Sequence, residues 1–267
     1  MFRCYWYCII LFLVSCGSSL HIKTPSRSKA AIGGGAFYKK VIPLTRDERE
    51  RIALNELLAG NVPAFLKHFV PITATVTDSA GNVLRATYFV APDYLAIGNN
   101  DDFARIPLTP FTAQQVANAW QCFLPTRKMV NDIYNQARIK VEPVPMHIYR
   151  DSALTFWQHH LIIEGQRKSG KGLIAGIKKD VVISGKISRD AKPGRVAIYG
   201  WHMPGGKPIQ PLYTGHVNWY VDYSHGIRLV YRKIRVNGKW VDYKTVLQHP
   251  VWRALLCDEE FCDCYSY

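Results

Sequence analysis

IRLVYRKIRVNGKWVDYK, residues 227–244, decides the fold class. β-Branched and aromatic residues recur on both sides of Asn237-Gly238, a pair that readily takes the positive φ angles of a two-residue turn. The stretch reads as two antiparallel strands joined at that pair. Outward toward the N-terminus, LIAGIKKDVVISGKI (173–187), RVAIYGWHM (195–203) and NWYVDY (218–223) are also β-rich. Toward the C-terminus, PVWRALL (250–256) reads as a short closing helix, with Pro250 suited to its first turn.

The first half reads differently. TRDERERIALNELLAGN (45–61) opens on Thr45 with Glu48 three residues later, a capping box. Ile52, Leu54, Leu57 and Leu58 form its apolar stripe, and Gly60 suits its C-terminal cap. Two β-rich runs flank DSAGN (78–82), a hairpin signal, and DYLAIG (93–98) adds a strand. TPFTAQQVANAWQCFL (109–124) reads as a helix capped by Thr112 and broken by Pro125; TRKMVNDIYNQARI (126–139) and SALTFWQHHLIIEGQRK (152–168) are further helices. EPVPM (142–146) marks a candidate subdomain break near 142–150. The expected class is α+β, with a helical N-terminal half and a largely antiparallel β-sheet in the C-terminal half, as one domain over residues 41–267.

Of 267 residues, 48% are hydrophobic and 20% charged, a globular composition. The net charge of +14 favours polyanionic partners: nucleic acid, anionic polysaccharide, cell-wall polymer or a membrane surface. The N-terminus narrows these. MFRCYWYCIILFLVSC (1–16) has one cation and then an apolar run shorter than the ~20 residues of a spanning helix. It has the length and flanks of a secretory leader. Its end, LVSC, resembles the lipobox of bacterial lipoproteins. That resemblance implies lipidation of Cys16, export, and a bilayer as partner, so nucleic acid is not expected. An ordinary cleaved leader is the other reading. GSSLHIKTPSRSKAAIGGGAFYKK (17–40) is rich in Gly, Ser and Lys and reads as a flexible tether. Four further cysteines remain: Cys122, Cys257, Cys262 and Cys264. Cys257 and Cys262 in CDEEFCDC could close a small disulfide loop; metal binding with Asp258, Glu259 and Asp263 is the alternative.

The chemistry-bearing stretch is GHVNWYVDYSHGIRLV (215–230), with two histidines, an aspartate, an arginine and three aromatics. As a strand it would place Val217, Trp219, Val221 and Tyr223 on a core face, with His216, Asn218, Tyr220 and Asp222 opposite. SHG then turns the chain toward His225 and Arg228. If the run ending at His202 is a neighbour, then His202, His216, Asp222 and His225 converge. A His–Asp pair serves acid–base chemistry. Two or three histidines with an aspartate can instead hold zinc, the candidate cofactor, with His202, His216 and His225 as ligands. Arg228 could clamp a carboxylate or stabilise an oxyanion. Asn218, Tyr220, Tyr223, Lys178 and Lys179 are the candidate substrate-binding residues. Against this stands the plainer reading, satisfied structural histidines and a solvated strand end at Lys178-Lys179.

SHGIRL is similar to the SHGC-R signature of the L,D-transpeptidases, but Ile227 stands where those enzymes carry their catalytic cysteine, so that activity does not carry over. The wider block YGWH…PIQPL…VDYSHGIRLV resembles a family of secreted bacterial proteins and supplies no mechanism. Cys122 precedes the histidines in the order found in NlpC/P60-type and papain-like hydrolases, although its local sequence reads as helix interior. Three functions follow as expectations: a His/Asp-centred, zinc-assisted or metal-free hydrolase of a cell-wall or extracellular polymer; a non-catalytic glycan- or wall-binding lipoprotein; and a Cys122-dependent amidase or peptidase.

Overall fold

The structure is a computed structural model that describes residues 19–168 and 170–267. Cys16 lies outside them. In chain order the elements are β1 (Leu20–His21), α1 (Gly34–Val41), α2 (Arg46–Leu58), β2 (His68–Thr77), β3 (Val83–Val90), β4 (Ala96–Gly98), β5 (Phe103–Arg105), α3 (Pro110–Ala119), β6 (Cys122–Phe123), α4 (Arg127–Gln136), β7 (Ile139–Lys140) and α5 (Ala153–Arg167). Then come β8 (Ile174–Ala175), β9 (Lys179–Val182), α6 (Gly185–Ser188), β10 (Arg195–His202), β11 (Pro208–Val217), β12 (His225–Gly226), β13 (Val230–Tyr231), β14 (Lys233–Val236), β15 (Lys239–Asp242) and α7 (Tyr243–Gln248). The class is α+β.

Two sheets organise the molecule. One runs β1-β2-β3-β13-β6, with β14 also paired to β3 and β15 to β14. The other runs β11-β10-β9-β12, antiparallel except for the parallel β9–β12 pair. The first sheet thus joins a hairpin from the N-terminal half to strands from the C-terminal half, and one core draws on both. Residues 142–150 connect β7 to α5 without dividing that core.

Several local signals fold as their chemistry requires. Thr45 accepts from the Glu48 amide and Glu48 from the Thr45 amide, closing the capping box at α2. Asn237 and Gly238, at φ 47° and 84°, turn β14 into β15. Cys257 and Cys262 are disulfide-bonded, so the tail is not a metal site built on those thiols.

Three expectations are corrected. Residues 17–40 do not all form a tether: β1 pairs with β2, and α1 buries Phe37 and Tyr38 completely, with the Tyr38 hydroxyl donating to the Arg105 carbonyl at 2.8 Å. The cap of α3 is Thr109, whose hydroxyl accepts from the Thr112 amide, and the helix ends before Cys122. Cys122 therefore sits in β6, paired to β13, not in a helix interior. Finally, Asn218–Ser224 is a loop, not a strand; its consequences belong to the site.

Candidate functional site

β11 carries His216 as its last residue but one, and the loop that follows leads to β12, which begins at His225. The loop is held by Asp222. This carboxylate is fully buried and receives the Ser224 amide at 2.8 Å, the Ser224 hydroxyl at 2.5 Å and the Arg150 guanidinium at 2.7 Å. Burial alone would raise its pKa. The positive charge that His225 takes on in acid, the two Ser224 bonds and the Lys179 ammonium outweigh that and hold it at about 2.

Around this fixed negative charge three rings gather. The His216 and Tyr220 rings lie 4.9 Å apart, His216 and His225 5.9 Å, and Tyr220 and His225 6.0 Å. The Tyr220 hydroxyl reaches Asp222 Oδ2 at 3.4 Å, and His225 Nε2 lies 4.0 Å from Asp222 Oδ1. His216 and Tyr220 are partly exposed, whereas His225 is buried with neither ring nitrogen hydrogen-bonded among the described residues. Burial pushes His225 down to about 4, and lowers His216 as well. At neutral pH the cluster is therefore an ionised carboxylate beneath neutral imidazoles, one of them with both nitrogens open. Such buried, unsatisfied polar groups are costly and concentrate at functional sites.

The remaining candidates separate. His202 does not join the cluster. β10 and β11 are antiparallel, so His202 pairs with Pro208 beside the turn while His216 pairs with Val196 at the open end. There His202 stacks on Tyr134 at 4.3 Å with Nε2 3.0 Å from Asn131 Oδ1. Without it the zinc trio is lost, and among the described residues no group of three or more His, Cys, Asp or Glu side chains is placed to hold a metal ion. Arg228 is a structural pin, not a clamp: it is buried and donates to the carbonyls of Ala91 and Ile174 at 2.8 and 2.7 Å. Tyr223 is buried, its hydroxyl accepting from the Met146 amide at 2.6 Å. Asn218 extends the β10–β11 pairing, its backbone amide donating to the Gly194 carbonyl at 2.8 Å. Lys178 is buried, bonded to the Tyr223 carbonyl and to His159 Nδ1, and burial brings it down to about 7. Lys179 remains with the site, its ammonium 5.3 Å from the Trp201 ring centroid and its charge felt by Asp222, His216 and His225. Trp219, expected in the core, is 55% exposed.

Sequence reasoning missed Arg150. It lies 72 positions from Asp222, and no local spacing connects them. It also missed a buried polar spine below the site, in which Arg105 pairs with Asp93 at 2.6 Å and with Glu164 at 2.8 Å, beside His160. Cys122 is a buried core thiol pushed up by desolvation, its Sγ donating to the Trp120 carbonyl; Ile227, at the transpeptidase cysteine position, is fully buried. Comparison of the chain with protein-family profiles, curated proteins and solved structures finds no match.

Proposed function

We propose that the protein is an exported hydrolase that cleaves an anionic cell-wall or extracellular polymer by metal-free acid–base chemistry at His216, Tyr220 and Asp222. The observation that carries this reading is the packing of two neutral imidazoles and a phenol around one buried, ionised carboxylate. His216 and Tyr220 reach solvent and exchange the proton with substrate or water. Asp222 favours the protonated form of either imidazole. His225 is a positioning residue beneath them, its open nitrogens 4.0 Å or more from that carboxylate. Arg150 and Lys179 add positive charge for an anionic substrate or a developing oxyanion. The leader-like N-terminus and the +14 charge support a polymer outside the cytoplasm.

Purified wall polymers and acidic polysaccharides, assayed for new reducing ends or amines, test this. His216→Ala is expected to lower turnover by ~10²–10⁴-fold, the usual worth of a general acid or base. Its unfolding transition should stay near the wild-type value because the ring is partly exposed. A chelator should leave wild-type turnover unchanged. Full activity in His216→Ala, or activity abolished by the chelator and restored by zinc, overturns the reading. Polymer binding without turnover would identify a non-catalytic wall-binding protein.

A further inference from the structure

A cavity of about 310 Å³ adjoins the cluster, between the start of α2 and the start of α5. Tyr220 and Val221 form the shared wall, so the cavity continues the surface on which His216 opens.

Three independent features of this cavity point to an anion. The first is Arg49, which lines it and is only 7% exposed. Its guanidinium rests over the Phe156 ring at 4.7 Å, and its one hydrogen bond among the described residues goes to the Asp151 carbonyl at 3.3 Å. The neighbouring Glu50 carboxylate is engaged with Thr109 and Thr112. Its other donors are open to solvent, and Glu50 and Asp151 already act on its charge, so the guanidinium offers free donors to an entering anion. The second is the N-terminus of α5, a helix of 15 residues whose N-cap Ser152 and first residue Ala153 are cavity wall. That end carries the positive part of the helix dipole. The third is Trp219, exposed at the rim with the Arg46 guanidinium 4.8 Å over its ring, a flat platform with a cation attached. Asp151 is the one lining carboxylate, and Asp47, outside the lining, pairs with Arg46 at 2.9 Å, so Arg49 and the helix end carry the excess positive charge of the wall.

We propose that this cavity is a subsite for an anionic group, a carboxylate or phosphate, on the polymer unit next to the one held at His216, with Trp219 as the stacking surface for that unit. The polymer in this statement rests on the proposed function; the anion site does not. The charged head would seat between Arg49 and the α5 amides. The shared Tyr220 wall would place the adjoining bond over the acid–base cluster.

Calorimetric titration of the full chain distinguishes the sources of the anion. The probes are a short oligogalacturonate, a glycerol-phosphate oligomer and a neutral chitooligosaccharide, and the titrations are repeated in His216→Ala so that turnover does not interfere. One charged probe is expected to bind and the neutral one not. Arg49→Gln is expected to weaken the bound probe by about ten-fold or more, as loss of a charged hydrogen bond does. Arg46→Gln, at the rim, is expected to weaken it by about three-fold and stands in should Arg49→Gln not fold. Preference for the carboxylate or the phosphate probe names the source. Equal binding of neutral and charged probes, no binding of either charged probe, or unchanged affinity in both arginine variants overturns the subsite. Charged-probe binding with no turnover in the wild type overturns the hydrolase and leaves the subsite standing.

Discussion

Replacing His225 by phenylalanine is expected to raise the stability of the protein while sharply lowering its turnover. Both imidazole nitrogens are buried and unbonded, and each such group costs about 1–3 kcal/mol. A phenyl ring removes the roughly 2–6 kcal/mol cost of the two groups but is one ring atom larger, and overpacking returns ~1–3 kcal/mol, so the unfolding free energy should rise by about 1–3 kcal/mol. The rings of Tyr220 and His216, at 6.0 and 5.9 Å, already supply aromatic neighbours. Turnover should fall by ~10²-fold as His216 and Tyr220 lose the ring that positions them. Opposite movements of stability and activity mark a group retained for function. Destabilisation by His225→Phe would mark a structural histidine. Chemical denaturation and the polymer assay, run on the same preparation, separate the two.

The second large effect is acid lability. Burial holds His159 at about 2, His160 at about 3 and His225 at about 4, all well below an unfolded histidine. Below pH ~6.5 the unfolded chain takes up these protons and the folded chain does not, so stability falls as pH falls through this range. Asp180, raised by burial to about 6, acts the other way, because only the folded chain keeps its proton between there and the normal carboxylate range. His202, also lowered by burial to about 4, adds to these three, and against the one aspartate the net is a loss from pH 6.5 to 5. At about 1.4 kcal/mol per proton per pH unit this is roughly 3–5 kcal/mol, a large share of a typical domain's stability. Denaturation midpoints at pH 7.5 and 5.0 read it directly. Equal midpoints would mean that these histidines find charge partners when protonated. Asp222, at about 2, contributes only below that window: its stabilisation is full above the unfolded carboxylate value and is lost as pH falls toward 2.

Local chemistry was legible wherever one short segment carries its own reason. The capping box at Thr45 and Glu48, the Asn237-Gly238 turn and the DSAGN loop each close on bonds or φ angles within a few residues. The short apolar helix α1 was hidden because Gly, Ser and Lys dominate its surroundings, although Phe37, Tyr38 and Val41 are spaced to bury one face. NWYVDY alternates like a strand, yet it loops. Asp222 is drawn inside by Ser224 and by Arg150 across 72 positions, which leaves Trp219 outside. Nothing in the alternation carries that long-range pairing. The separation of His202 from His216 was legible and overlooked: in an antiparallel hairpin turning near Gly205-Gly206, His202 must lie at the turn and His216 at the far end. Arg49 gave no signal, because one arginine among the many charges of TRDERERIA looks like a solvated helix face until its burial is known.

The central claim is that His216, Asp222 and His225 titrate as one unit, and histidine NMR titration of the wild type and Asp222→Asn tests it most directly. The carboxylate raises the proton affinity of both imidazoles, while burial and the Lys179 charge lower it. Neutralising Asp222 should therefore shift the His216 titration to lower pH and move the acid limb of the turnover profile with it. A His216 titration identical in the two proteins, with both folded, would contradict the account.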